Sequence, residues 1–296
     1  MWLDSGGRTQ PLRAASENFA AGIRFSPDGK RLALAKNEGD NVDIWVYDLE
    51  KDQMTRLTFG ATAWFPMWSP DGAHIAFMSA MDGGASNIYS VRADGAGNPV
   101  RLTKSEKRQI PYSFSPDGKQ LAFFEFDPET QADIWTLSLE DGNSDHPKAG
   151  KPEPFLVTPS DERLPLISPD GRWLAYQSDE SGREEIYVQS FPRPGGRWQV
   201  SAAGGDRPVW SKTTPELFFR SSEGVMVATY TERGEAFDAA SPRLWAAKRE
   251  LGPYFDVAPD GKRLVIFEPE ESGKPDAERV MLLQGFMDEV RRRTTK

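Results

Sequence analysis

The sequence predicts an all-β fold, a six-bladed β-propeller made from six copies of one four-stranded antiparallel unit. Three observations predict it. A Ser-Pro-Asp-Gly turn recurs at near-regular intervals, apolar strand patterns flank every turn, and no long segment of helical period occurs before residue 285.

The turn appears at Ser26-Pro27-Asp28-Gly29, Ser69-Pro70-Asp71-Gly72, Ser115-Pro116-Asp117-Gly118 and Ser168-Pro169-Asp170-Gly171, with a fifth copy at Ala258-Pro259-Asp260-Gly261. Successive copies lie 43, 46, 53 and 90 residues apart. The last interval is about twice the others, so a degenerate copy belongs midway, and Trp210-Ser211-Lys212-Thr213-Thr214-Pro215 occupies that place. Proline presets φ for the second turn position, Asp bonds the nearby backbone, and Gly closes the turn, so each copy joins two antiparallel strands.

A large apolar residue precedes each turn: Phe25, Trp68, Phe114, Ile167, Trp210 and Val257, expected to be buried between blades. An apolar strand follows, as in Arg31-Leu32-Ala33-Leu34-Ala35 and His74-Ile75-Ala76-Phe77-Met78. A third strand comes after a polar loop: Asp43-Ile44-Trp45-Val46-Tyr47, Asn87-Ile88-Tyr89, Asp133-Ile134-Trp135, Glu185-Ile186-Tyr187, Val225-Met226-Val227 and, in the last unit, Val280-Met281-Leu282-Leu283. The fourth is shorter and more polar, as in Thr55-Arg56-Leu57-Thr58. Enrichment in β-branched and aromatic residues with period-two alternation reads as strand. Four strands per 40–50 residues is the pattern of a propeller blade, and closing the ring buries both faces of every sheet.

The last unit lacks room for a fourth strand. Residues 1–13 are therefore expected to close the ring, with Thr9-Gln10-Pro11-Leu12-Arg13 as the missing strand and Trp2-Leu3-Asp4 beside it. Residues 285–296 read as a short amphipathic C-terminal helix or tail, and residues 1–296 as one propeller domain.

The Ser-Pro-Asp-Gly hairpin, followed by an Ile-Trp or Ile-Tyr strand and a Leu-Thr strand, resembles the TolB-type propeller repeat. That group includes propellers of prolyl-oligopeptidase-like peptidases and propellers appended to bacterial serine/threonine kinases. The order of the last two units looks most like the kinase-appended type. The resemblance implies a six-bladed ring with a protein- or ligand-sensing role. It carries over no catalytic residue.

Composition narrows the function. A net charge of −9 and a pI near 5.0 repel phosphate backbones, so no nucleic-acid partner is expected. The basic run Arg291-Arg292-Arg293 reads as a solvated helix end. The absence of cysteine excludes disulfides, thiolate metal sites and a cysteine nucleophile. No window reaches the ~18 apolar residues of a membrane helix, and Met1 to Gly7 have no signal-peptide character. The compartment stays open: periplasmic for a piece of an exported or anchored protein, otherwise cytoplasmic. No cofactor or metal is expected. Of the two histidines, His74 reads as a surface residue and His146 as part of a flexible insertion, which is too little for zinc. Asp40-Asn41-Val42-Asp43 and Asp82-Gly83-Gly84 lack the spacing of a calcium loop. There is no G-x-S-x-G elbow, phosphate loop or dinucleotide fingerprint.

Binding rather than catalysis is therefore expected. The alternative is a hydrolase or lyase with its active site in the central channel. The loops entering the innermost strands differ from copy to copy and place Trp64, Phe65, Arg108, Arg163, Arg207 and Tyr254 around one channel mouth. Aromatics mixed with arginine suit a protein interface. The expected partner is a protein or peptide segment bearing carboxylates, bound by a monomer.

Overall fold

The computed structural model describes residues 1–12, 17–140, 147–247, 252, 254–267 and 279–280. Six antiparallel sheets are arranged as blades. The first four follow the chain. Blade 1 holds Glu17–Phe25, Arg31–Glu38, Asn41–Asp48 and Gln53–Arg56; blade 2 holds Ala63–Trp68, His74–Ser79, Asn87–Arg92 and Val100–Arg101. Blade 3 holds Gln109–Phe114, Gln120–Asp127, Gln131–Glu140 and Lys148–Leu156; blade 4 holds Glu162–Ile167, Trp173–Ser178, Glu185–Ser190 and Arg197–Gln199.

The repeated turn is a self-contained hydrogen-bonded unit. The Gly29 amide donates to the Ser26 carbonyl at 2.9 Å, and Gly29 takes a φ of 71° that other residues rarely adopt. The Ser26 hydroxyl donates to Asp28 Oδ1 at 2.5 Å and accepts from the Arg31 amide at 2.9 Å. The same bonds recur at Ser69, Ser115 and Ser168. The turn aspartates are thus scaffold. Just ahead of the turns, Phe25, Trp68, Ile167, Trp210 and Val257 are buried, while Phe114 is half-buried.

Blade 5 departs from the plan. Its strands Asp206–Trp210 and Glu216–Ser221 lead into a ten-residue third strand, Gly224–Arg233. The first half of that strand pairs with Arg243–Ala247, the second half with Ala236–Ala239. The resulting hairpin arm buries Phe237 against Trp173 and Trp210.

Blade 6 is where the chain closes on itself, and here one expectation is corrected. Phe255–Val257 pairs with Arg263–Ile266, and the next strand is Trp2–Asp4, followed by Thr9–Gln10. The N-terminal segment therefore supplies the third strand as well as the fourth. Arg279–Val280 pairs with Glu17 and Asn18 of blade 1 instead, so the segment beginning at Val280 is not the third strand. The reason is packing on two faces. Leu3 is fully buried in the apolar cluster shared with Phe218, Leu264 and Ile266, while Trp2 stacks on Phe25 of blade 1 at 5.6 Å. Asp4 opposes Arg263 as Asp48 opposes Arg31 in blade 1, which confirms the equivalence.

His74, expected at the surface, is 5% exposed. Every residue of its strand is buried; the first slot of a second strand is half-buried where it holds Arg31, Gln120, Glu216 or Arg263 and buried where it holds the aromatic His74 or Trp173. His146 and residues 285–296, with the expected C-terminal helix, lie outside the described residues.

Candidate functional site at the channel

Counting back from the turn serine sorts the innermost strands. Four residues before it, or before Ala258 in blade 6, stand Gly22, Phe65, Pro111, Leu164, Arg207 and Tyr254. All six line one constricted cavity of about 30 Å³. Two residues before it stand Arg24, Met67, Ser113, Leu166, Val209 and Asp256, which line a wider funnel of about 390 Å³ at the turn end.

The constriction has a backbone cause. Between strands one and two the pairing slips at Trp64/Met67, Pro111/Ser113, Arg163/Leu166 and Asp206/Val209. Each slip is a bulge, and the extra residue re-aims a side chain. At three of these places, and at the corresponding Ala21/Ile23 slip of blade 1, φ is positive: 56° at Phe65, 59° at Leu164, 54° at Arg207 and 73° at Gly22. For the three non-glycine residues this costs about 1–2 kcal/mol each. Proline follows as Pro66, Pro165 and Pro208, removing an N–H where the ladder is broken. Strain of this kind persists where the surroundings over-determine it, often at binding sites.

Of the residues expected at the mouth, Phe65, Arg207 and Tyr254 meet here. The Phe65 ring packs edge-on to Tyr254 at 6.0 Å, and the Arg207 guanidinium lies 4.8 Å over Tyr254. Arg207 Nε is buried with no acceptor among the described residues. Arg108 and Arg163 form a second group on Phe126, at 3.9 and 5.2 Å from its ring centre. Arg108 is exposed, whereas Arg163 is half-buried and bound to Asp161 at 2.6 Å. Trp64 is half-buried against two apolar clusters, one shared by blades 1 and 2 and the other by blades 2 and 3. The arginines thus form two groups rather than one ring, because Arg108, Arg163 and Arg207 stand seven, five and four residues before their turns. Gly22, Pro111 and Leu164 were missed as ring members, and the fixed offset from the turn is the signal that finds them.

The acidic side chains nearby are mostly engaged. Asp43 is fully buried and accepts from Thr58 Oγ1 at 2.7 Å, Arg56 at 2.6 Å and the amides of Gly60 and Ala61. Burial alone would raise its pKa, but these bonds outweigh it and hold the carboxyl below its ordinary range. Asp82 accepts from the Tyr89 hydroxyl at 2.8 Å. Glu162 is the contrast. It is 1% exposed, Thr158 donates to Oε1, and Oε2 has no partner among the described residues. Burial, with Asp133 close by, pushes its pKa up to about 7. Blade 3 carries Gln109 at the same offset, where its amide donates to Glu125 at 2.7 Å. On the funnel side, Arg24 Nη1 donates to the carbonyls of Ile23 and Phe255 at 3.1 and 3.2 Å. Burial opposes its charge, yet Tyr112 and Asp256 raise its pKa overall, so it stays a cation.

Residues 3–146 match the family model described as the TolB beta propeller domain. A solved putative TolB from Agrobacterium tumefaciens superposes with a TM-score of 0.65 at 21% identity, covering 90% of this chain and 96% of that one. Over residues 3–146 the chain carries TolB-type propeller repeats, and its overall fold is that of a six-bladed propeller. The Tol-Pal system protein TolB of Francisella tularensis is 31% identical over 159 residues, 52% of this chain and 34% of that protein. An uncharacterized peptidase of Bacillus subtilis, YuxL, is 26% identical over 210 residues, 56% of this chain and 31% of the relative. The chain thus spans about a third of the length of these curated relatives. An oligogalacturonate lyase from Vibrio parahaemolyticus shares the fold at 13% identity and a TM-score of 0.57, covering 94% and 80% of the two chains.

Proposed function

We propose that this six-bladed propeller is a non-catalytic binding module whose partner is a carboxylate-bearing peptide or protein segment. The segment docks at the bulge end of the channel, on Trp64, Phe65, Arg108, Arg163, Arg207 and Tyr254. The observation that carries this reading is Arg207. Its backbone is held in a strained left-handed conformation, its guanidinium is stacked on Tyr254, and its buried Nε–H lacks an acceptor. An unmet buried donor costs about 1–3 kcal/mol, which an incoming carboxylate oxygen recovers. The stacked arginines are already ordered, so binding loses less side-chain entropy.

Fluorescence polarisation against peptides with Asp, Glu and free C-terminal carboxylates tests this reading. The wild-type chain is expected to select acidic sequences, with affinity falling as salt rises. Joint substitution of Arg108, Arg163 and Arg207 by Ala is expected to weaken binding by about 2 kcal/mol or more and leave the melting temperature nearly unchanged. A triple variant that binds equally well, or unfolds, removes these arginines from the site. Since Arg163 already pairs with Asp161, most of the loss is expected from Arg108 and Arg207.

A further inference from the structure

The turn end of the channel has a break in its rim. A turn glycine of one blade packs on the turn proline of the preceding one: a Cβ on Gly29 would stand 2.5 Å from Pro259, and one on Gly171 would stand 3.3 Å from Pro116. Blade 5 cannot do this, because its turn reads Ser211-Lys212-Thr213-Thr214, with lysine for the proline and threonine for the glycine. A notch of about 450 Å³ opens there, lined by Pro169, Lys212, Thr214 and Tyr230 among others. It shares Pro169 and Lys212 with the funnel, so the two are continuous.

The funnel is blind, since the ring at Phe65, Leu164 and Tyr254 narrows the channel beyond it. Its walls are largely apolar, with Trp68, Phe114, Leu166 and Trp210. Both tryptophans are fixed, with Trp68 Nε1 donating to the Arg24 carbonyl at 3.0 Å and Trp210 Nε1 to the Leu166 carbonyl at 2.9 Å. Three charged side chains line the funnel: Arg24, Lys212 and Asp256. The Asp256 carboxylate accepts from the amides of Phe25 and Val257 at 2.8 and 3.0 Å. Lys212 is exposed and forms no ion pair among the described residues. An apolar concavity with a few convergent polar groups is the usual form of a small-ligand site. The surplus charge of the funnel is positive, and of the two carboxylates the notch adds, Asp170 is bonded within its own turn and Glu232 is paired with Arg172.

We propose that the funnel and its notch form a second ligand site, across the constriction from the partner site, for a carboxylate on an apolar stem. The last residue of a peptide and a short fatty acid both present that chemistry. The stem fills the funnel, and the carboxylate pairs with Lys212 at the rim, with the Arg24 cation behind it.

Isothermal titration of the full chain with N-acetylphenylalanine, its amide and octanoate tests the proposal. The acids are expected to bind at least about tenfold more tightly than the amide, the worth of one charged hydrogen bond. Binding of N-acetylphenylalanine alone identifies a peptide end, binding of octanoate alone a fatty acid, and binding of both the shared chemistry. Lys212→Glu is exposed and should fold normally, yet weaken acid binding about tenfold. Arg24→Gln should act alike, and if it lowers the melting temperature, Lys212→Glu decides alone. The joint Arg108, Arg163 and Arg207 variant should bind these acids unchanged, so failure here and failure of the partner site are distinguishable. Equal affinity for acid and amide, no binding of either acid, an unaffected Lys212→Glu, or loss of binding in the triple variant overturns the proposal.

Discussion

At one end of the channel, six different residues close over the axis on a backbone that slips register and adopts left-handed conformations. At the other end, nearly identical turns satisfy their own hydrogen bonds and leave a funnel. The two ends belong to the same strands and lie only a few residues apart. What separates them is where the polar groups find partners. A turn serine and aspartate bond each other and the next amide, so each regular turn satisfies its own polar groups. The bulge end leaves Arg207 Nε and Glu162 Oε2 unmet. Variation and strain coincide with Arg207 Nε and Glu162 Oε2 at one end, and repeated turns that satisfy their own polar groups mark the other.

The largest expected effect tests the backbone at the bulge end. A Cβ at Gly22 would stand 2.8 Å from Pro66 Cδ and 3.1 Å from Phe65 Cα, at a φ of 73°. Gly22→Val is expected to cost about 3 kcal/mol or more, read as a fall in the urea midpoint. A loss below about 1 kcal/mol would show that the constriction is soft.

Next is the pH dependence of Glu162. Its folded pKa is raised to about 7, so the native protein holds a proton that the unfolded chain has already released. The stability linked to that proton is fully present below about pH 4.5 and is lost as pH rises through about 7. Glu162→Gln mimics the protonated form and copies Gln109 of blade 3. It is expected to add up to about 3 kcal/mol at pH 8 and almost nothing at pH 4.5. Urea midpoints across that range check it, and equal gains at both pH values would refute the assignment.

The smallest effect belongs to the turn end. Asp117→Ala removes an acceptor of the Ser115 hydroxyl and the Lys119 amide from one of several similar turns. A loss of about 1 kcal/mol is expected. If it matches Gly22→Val in thermal melts, the contrast between the ends fails.

The scaffold was legible because its signals are local and repeated. The turn tetrapeptide, the residue before it and the Ile-Trp strand each act over a few residues and recur in blade after blade. Three things were not legible, for different reasons. Val280 looked like a third strand by hydropathy, but which segment sits beside Arg263–Ile266 is a long-range choice that Leu3 and Trp2 win through contacts with blades 5 and 1. His74 looked like a surface residue because most of its counterparts are charged or polar, yet its ring is buried as that of Trp173 is in blade 4. The mouth arginines looked like one ring because the loops were compared by position in the text. The offset from the turn separates them.

The closing blade also has a history in time. Trp2–Asp4 is synthesised about 260 residues before its partner strand Arg263–Ile266. At ~5–20 residues per second, the early strand waits roughly 10–50 s with its hydrogen-bonding edge unpaired and Trp2 and Leu3 without their eventual neighbours. Such an edge is a template for intermolecular pairing. Blades 1 to 5 are complete on the growing chain before the ring shuts, so the vulnerable interval in this protein's life precedes closure, while the ribosome is still at work.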